Sequence, residues 1–267
     1  MERKSIFNKA KLQELLAKNT SPSYGLTIVF GRPLPEALTE HVRALRAELE
    51  VLLPGRICWY EDYHLHTTIY APKRGRYSPI PSSLQGSHLH HAPLPLTRQE
   101  LPPNFYDIVR LINQIEPFKL EFHALSFDQR GAIALIGSPS KEEPVLQLKQ
   151  VADAIERNVP EKERKLDAPK HPTPDLHSAI GYFRYLEPLI LKEEEIFAAK
   201  ARLQRVEING KSYLQRAVEL PAVEVREVKL VHYGDRLLRN IIGMVVLKLG
   251  GSNEISEEEF YRCLRIS

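Results

Sequence analysis

The stretch His64-Leu65-His66-Thr67-Thr68-Ile69-Tyr70 has a two-residue period, as a β-strand with two different faces does. Successive side chains of a strand point to opposite faces of the sheet. Both histidines and the tyrosine therefore share one face with Thr68, whereas Leu65 and Ile69 lie on the other. The first face predicts a functional site, and the second predicts contact with a hydrophobic core.

A second histidine opens a similar apolar stretch further along the chain, Leu176-His177-Ser178-Ala179-Ile180-Gly181-Tyr182-Phe183. This pattern also predicts a β-strand, with His177 near its beginning. Two similar strands, each with one inward histidine, indicate an active site between two lobes. Strand alternation places Tyr182 on the face opposite His177, so only Tyr70 shares a face with its histidine.

The composition is that of a globular protein, with 43% hydrophobic and 27% charged residues among 267. A formal net charge of +3 suits an anionic ligand and does not require nucleic acid. The two cysteines, Cys58 and Cys263, have no spacing typical of a disulfide framework or a zinc ribbon. We expect a reduced, cytoplasmic compartment and no membrane association, because the chain has no run of about 18 apolar residues.

The remaining pattern alternates strands with amphipathic helices, without an exact internal repeat. Residues 1–20 predict a helical appendage, and residues 21–267 predict a single bilobal domain. Residues 71–103, rich in proline and histidine, predict an irregular insertion. The other expected elements are helices near 35–53, 104–115, 142–157 and 192–205, and strands near 24–30, 56–60, 118–127, 132–137, 205–213, 223–233 and 240–249, with a hairpin turn at Asn209-Gly210.

This order predicts an α+β fold rather than a doubly wound parallel sheet. We expect a bilobal architecture of two related halves, each with antiparallel strands. Helices would pack on the outside of both halves, and the active cleft would lie between them.

The two histidine stretches resemble the motifs of the two-histidine phosphoesterases, which include 2′,3′-cyclic phosphodiesterases and the proteins called 2′-5′ RNA ligases. His66-Thr67-Thr68-Ile69 fits the motif of a histidine, any residue, a hydroxyl residue and an apolar residue in full. His177-Ser178-Ala179-Ile180 fits in part, since Ala179 stands where the second hydroxyl is expected. The resemblance covers roughly residues 24–249 in layout.

The resemblance implies that His66 and His177 form an acid–base pair for opening a phosphodiester, without a metal ion or another cofactor. Two imidazoles with pKa values near about 6.5 can divide these two roles at neutral pH. Thr68 would donate to a phosphate oxygen, and Ser178 could do so only if a bulge shifts the strand register. His64 would line the cleft as a substrate-binding residue, and Tyr70 could stack on a base.

The expected substrate is a cyclic or 2′-5′ phosphodiester of a nucleotide or of an RNA end. The sequence does not decide which histidine is the base, nor the oligomeric state, for which a monomer is the default. One alternative is a non-catalytic nucleotide- or RNA-binding protein that keeps the cleft. Another is a metal-dependent hydrolase that uses the pair His64-x-His66, with His88, His90 and His91 as possible further ligands.

Overall fold

The computed structural model describes most of the chain, including both histidine stretches. Most of the predicted appendage at residues 1–20 and residues 75–95 of the predicted insertion lie outside the described residues. His88, His90 and His91 are among those outside. The described residues are 4–8, 10, 13, 25–74, 96–157, 175–184, 191–234, 238–251 and 255–266.

Within these residues, eleven strands form one sheet in which every pairing is antiparallel. The strands are β1 (Gly25–Gly31), β2 (Ile57–Trp59), β3 (His66–Arg74), β4 (Phe118–Phe127), β5 (Ala132–Pro139), β6 (Leu176–Phe183), β7 (Gln204–Ile208), β8 (Lys211–Ala217), β9 (Val223–Val225), β10 (Glu227–Tyr233) and β11 (Ile241–Lys248). The main path runs β11-β10-β1-β3-β6-β5-β4-β8-β7, while β2 pairs with β6 and β9 pairs with β4.

Five α-helices accompany this sheet in the described part of the chain. Three short 3₁₀ turns also occur, at Asp62–His64, Arg98–Glu100 and Leu111–Gln114. The α-helices are α1 (Glu36–Leu52), α2 (Phe105–Arg110), α3 (Glu142–Arg157), α4 (Leu191–Lys200) and α5 (Glu257–Leu264).

The helices bury their apolar sides in one continuous core with the sheet. In α1, Leu38, Val42 and Leu49 recur at helical spacing and are fully buried. The other four helices contribute Phe105, Val145, Phe197, Phe260 and their apolar neighbours to the same core. Helix burial of this kind places the main core on one face of the central strands.

The opposite face of the central strands is less covered. It carries a small separate cluster at the β1–β10 side, formed by Val29, Val231, Tyr233 and Leu238. Beside this cluster lie the half-buried and exposed residues of β3 and β6 that face away from the main core. The candidate site lies on this face, which we call the open face.

The predicted α+β class is confirmed, and so is the antiparallel pairing of the strands. The two halves join in one sheet through the pairing of β3 with β6. The Asn209-Gly210 turn is also confirmed: both residues have positive φ angles, 52° and 71°, and connect β7 with β8. The strand predicted for 223–233 divides into β9 and β10, which pair with different neighbours.

Three predicted boundaries differ from the observed ones for local reasons. The helix predicted at 104–115 is α-helical only to Arg110 and then tightens into a 3₁₀ turn. The helix predicted at 192–205 ends at Lys200, and the chain enters β7 at Gln204. Residues 71–74 belong to β3 and not to the predicted insertion.

The described residues near the amino terminus pack onto the main core. Ile6 and Phe7 are buried, and the Ile6 amide donates to Glu194 at 3.0 Å. The Glu194 carboxylate is itself buried and also accepts from Arg205 at 2.6 Å. This part of the predicted appendage is therefore docked against α4.

Candidate active site

The two histidine strands meet at the centre of the sheet. Thr68 of β3 lies directly opposite His177 of β6 in antiparallel register. Opposite residues of an antiparallel pair project to the same face, so the side chains of Thr68 and His177 are neighbours. His66 is two residues before Thr68 and therefore lies diagonally across from His177 on that face.

The alternation predicted for β3 is observed from Leu65 to Ile69. Leu65, Thr67 and Ile69 are buried, whereas His66 and Thr68 are partly exposed on the open face. His177 of β6 is exposed on the same face. The structure thus brings together three of the predicted site residues.

His64 does not belong to the strand, contrary to the predicted range. It ends the 3₁₀ turn Asp62–His64, and its ring lies against Tyr63 with centroids 4.0 Å apart. The Leu65 amide donates to Asp62 in this turn, so regular strand geometry begins only at His66. His64 remains close enough for its charge to act on His66.

One hydrogen bond defines the proton arrangement of His66. Its Nδ1 lies 2.7 Å from the carbonyl oxygen of His64. Because a carbonyl oxygen can only accept, Nδ1 must carry the hydrogen. In the neutral ring, Nε2 is then an unprotonated acceptor, which is the arrangement required of a general base.

The surroundings of His66 disfavour its charged form. The pKa of His66 is lowered to about 4, mainly by burial and also by the charges of Arg32, His177 and His64, while the hydrogen bond to the His64 carbonyl opposes the shift. His66 is therefore neutral in the free protein at neutral pH.

Ser178 is not brought to the open face. Its side chain is fully buried, and its hydroxyl donates to the carbonyl oxygen of His66 at 2.7 Å. The register that would turn Ser178 toward a phosphate does not occur, because Ser178 pairs with Leu135 of the buried face. The predicted phosphate contact is thereby replaced by a hydrogen bond that joins β6 to β3.

Replacing Ser178 with alanine is expected to lower the free energy of unfolding by about 1–2 kcal/mol, because a buried carbonyl loses its donor. Thr67→Val is the matched control. The Thr67 hydroxyl is also buried beside a motif histidine, but it has no hydrogen-bond partner among the described residues. The control is expected to be neutral or stabilising in urea denaturation, and equal losses in the two variants would contradict this interpretation.

A β-bulge turns Tyr70 away from His66. Thr68 pairs with Val29 of β1, but Tyr70 pairs with the next residue, Ile28, so Ile69 is the extra residue. Ile28 belongs to the main core, and the Tyr70 hydroxyl donates to Asp153 of α3 at 3.0 Å. The prediction that Tyr70 shares the face of His66 is therefore wrong.

A second bulge has the opposite effect on Tyr182. In β6, Ala179 pairs with Ala134 and Gly181 with Ile133, so Ile180 is the extra residue. Tyr182 then pairs with Ala132, which shares the face of Ala134. Tyr182 consequently lies on the open face with His177, contrary to the simple strand alternation.

Tyr182 is one of two tyrosines at this end of the site. Its ring lies against Tyr60, with centroids 5.8 Å apart and an angle of 56° between the planes. Burial, followed by a hydrogen bond to Cys58, raises the pKa of Tyr182 to about 12. Both tyrosines are partly exposed, and Tyr60 also packs against the main core.

Arg32 is a residue near the site that the sequence did not indicate. It follows Gly31, which lies opposite His66 at the end of β1. Its charge is one of the contributions, after burial, that lower the pKa of His66. In the sequence, Gly31-Arg32-Pro33 carries only the signal of a strand end.

Metal-binding groups and membrane-spanning helices were two further features to look for among the described residues. No group of three or more histidine, cysteine, aspartate or glutamate side chains in the described ranges could hold a metal ion. Among the described helices, none combines the length and the apolar character needed to cross a membrane.

The chain matches no family model and no curated protein. It is similar to the solved structure of TT0787 from Thermus thermophilus, with 16% identity, a TM-score of 0.46, and coverage of 85% of this chain and 99% of that one. E. coli LigT complexed with phosphate gives 12% identity, a TM-score of 0.44, and coverage of 85% and 99%. The chain is also similar to ATU0111, a conserved protein of unknown function from Agrobacterium tumefaciens. That comparison has 13% identity, a TM-score of 0.44, and coverage of 90% of this chain and 89% of that one.

Proposed function

We propose that this chain is a metal-independent phosphodiesterase of the two-histidine phosphoesterase type. Its substrate is a 2′,3′-cyclic or 2′-5′ phosphodiester of a nucleotide or an RNA end. The observation that carries the proposal is the position of His66 and His177 on adjacent strands of one open face, with Thr68 directly opposite His177. Diagonal neighbours of this kind lie about 7–8 Å apart, which leaves room for a phosphate group between the two rings.

The proton arrangement of His66 supports a division of roles. Nε2 of His66 accepts a proton from the attacking water as its oxygen bonds to phosphorus. His177, in its protonated form, donates a proton to the ribose oxygen as the phosphorus–oxygen bond breaks. The Thr68 hydroxyl donates to a non-bridging phosphate oxygen, whose charge it stabilises in the transition state.

The base of the nucleotide would extend along β6 toward Tyr182. The side chains between His177 and this ring on the open face are small, Ala179 in β6 and Ala132 and Ala134 in β5. We expect the base to lie over these small side chains and to reach the tyrosine ring. Aromatic rings can stack on a base without selecting its identity.

Ala179 is the observation that favours a second candidate function. Continuing the register of Thr68 with His177 sets Ala179 opposite His66, where it offers no hydroxyl to a phosphate. A protein with one donor fewer could bind a nucleotide or RNA end without hydrolysing it.

One assay separates the two functions. Purified protein is incubated with excess EDTA and with 2′,3′-cyclic nucleotides, 2′-5′-linked dinucleotides or RNA that carries a terminal cyclic phosphate. We expect hydrolysis that survives chelation. Binding of these ligands without any product would favour the second function, and activity lost to EDTA would contradict the metal-independent mechanism.

The pH dependence of kcat/KM is expected to have its acid limb near pH 4 rather than near about 6.5, because the base must be neutral and the pKa of His66 is lowered to about 4. An anionic substrate favours the imidazolium, so the acid limb of kcat should lie at higher pH than that of kcat/KM. Initial rates measured across this range, with a stability control at each pH, provide the test. An acid limb of kcat/KM near about 6.5 would contradict the assignment.

The same shift predicts how His66 affects stability. Its folded-state pKa lies below the unfolded value, so its contribution is fully present above about pH 6.5. That contribution is lost as the pH falls through about 4. In urea denaturation, the free energy of unfolding of His66→Gln should therefore fall less over this pH interval than that of the unchanged protein.

A further inference from the structure

The chain at the end of β1 holds Arg32 in a defined position beside His66. The Arg32 amide donates to the carbonyl oxygen of Leu65, the residue before His66, at 3.1 Å. The Arg32 carbonyl accepts from the ammonium group of Lys229 in β10 at 3.2 Å. Both backbone polar groups of Arg32 are thus fixed by neighbouring elements.

The backbone of Arg32 is in a conformation that disfavours its own residue type. Its φ angle is +77°, in the left-handed region where a residue with a Cβ atom is strained. Gly31 before it has φ +80°, and a Cβ added there would lie 2.7 Å from Leu34 Cδ2. Glycine suits both positions, yet an arginine occupies the second. A strained residue beside a polar site is a reason to look for a functional contribution of its side chain.

The charges that act on His66 from the described elements are all basic. They come from Arg32 at the end of β1, from His177 of β6 and from His64 of the preceding 3₁₀ turn. Of these three, only the guanidinium is charged at every physiological pH. A cation beside His66 does not stabilise the neutral imidazole. The two groups together are, however, suited to bind an anion that contacts both.

We infer that Arg32 binds the phosphate of the substrate, donating from its guanidinium to a non-bridging oxygen on the side of His66 that faces β1. This inference rests on the proposed function and adds a residue to it. Together with Thr68, which lies opposite His177, Arg32 supplies the second donor that Ala179 does not offer. Planar guanidinium donors match phosphate oxygens and retain their charge in a partly buried site.

Titration of the full-length protein with inorganic phosphate tests the inference without any need for turnover. The imidazole resonance of His66, assigned by its absence in His66→Gln, reports both the dissociation constant and the pKa of His66. Arg32→Gln is expected to weaken phosphate binding by about 10- to 100-fold. It should also raise the pKa of His66 in the phosphate-free protein, because one of the charges that lowers it is removed. The phosphate affinity of Arg32→Lys should lie between those of the unchanged protein and of Arg32→Gln.

Arg32→Gly separates binding from folding. It removes the guanidinium and also relieves the backbone strain, so phosphate should bind more weakly while the melting temperature rises by about 2–4 °C. Arg202→Gly is the matched control, because Arg202 is an exposed arginine with φ +56° at the end of α4. The control should leave phosphate binding unchanged.

Three outcomes would overturn the inference: no phosphate binding by the unchanged protein, equal phosphate affinity in Arg32→Gln, or an unaltered pKa of His66 in that variant. Failure of the proposed function looks different. In that case no phosphodiester would be hydrolysed, yet Arg32→Gln would still weaken phosphate binding.

Discussion

His66→Ala and His177→Ala are each expected to lower kcat/KM for a 2′,3′-cyclic nucleotide by about 10²–10⁴-fold, the usual contribution of a positioned acid or base. In His66→Ala, no group accepts the proton of the attacking water. In His177→Ala, the ribose oxygen leaves without a proton. The double variant should lose less than the product of the two single losses, since an acid and a base that act in one step are not independent.

His123→Ala provides the control for these two variants. His123 is an exposed histidine on β4, away from the β3–β6 pairing. It should keep full activity, and all variants should keep the circular dichroism spectrum of the parent. Unchanged activity in His177→Ala would remove the paired mechanism, even if His66→Ala were inactive.

Much of the fold could be predicted because its signals are local. In α1, apolar residues at three- and four-residue spacing require one buried helix side, and the observed helix buries Leu38, Val42 and Leu49. In β4, apolar and charged residues alternate from Phe118 to Phe122, as required when one sheet face is buried. The Asn209-Gly210 pair determines its turn because both positions need positive φ angles.

The composition of the open face could not be predicted to the same extent. A single extra residue in a strand reverses the facing of every side chain after it. Two such residues, Ile69 and Ile180, exchange the expected orientations of Tyr70 and Tyr182. In the sequence, both are ordinary apolar residues of a predicted strand. Each becomes the extra residue only through the register imposed by a neighbouring strand. His66, Thr68 and His177 precede the bulges, and the structure brings them together as the alternation predicts.

Arg32 and the Nδ1 hydrogen bond of His66 illustrate another limit. Both depend on backbone groups that come together through β1 and the 3₁₀ turn before β3. Residue types alone do not specify a carbonyl oxygen 2.7 Å from an imidazole nitrogen. The assignment of His66 as the base therefore required the folded geometry, whereas its pairing with His177 did not.

Tyr182→Ala is expected to lower kcat/KM for a cyclic nucleotide by about 5- to 150-fold, the loss that corresponds to one base–aromatic stacking contact. The loss should disappear with a cyclic phosphodiester that carries no base, because the phosphate contacts at the histidines remain. Tyr182→Phe keeps the ring and removes only the hydroxyl next to Cys58, so it should retain nucleotide activity.

Tyr70 offers the matched comparison, because strand alternation alone would give it the role that the bulges transfer to Tyr182. Tyr70→Phe should lower the free energy of unfolding by about 1 kcal/mol through loss of the hydrogen bond to Asp153. It should leave the ratio of activities on substrates with and without a base unchanged. If Tyr70→Phe or Tyr70→Ala altered that ratio while Tyr182→Ala did not, the base would lie along β3 instead, and the register of the two bulges would be wrong. If Tyr182→Ala alone alters it, the substrate lies along β6, with its phosphate at His66 and His177 and its base at the tyrosine pair.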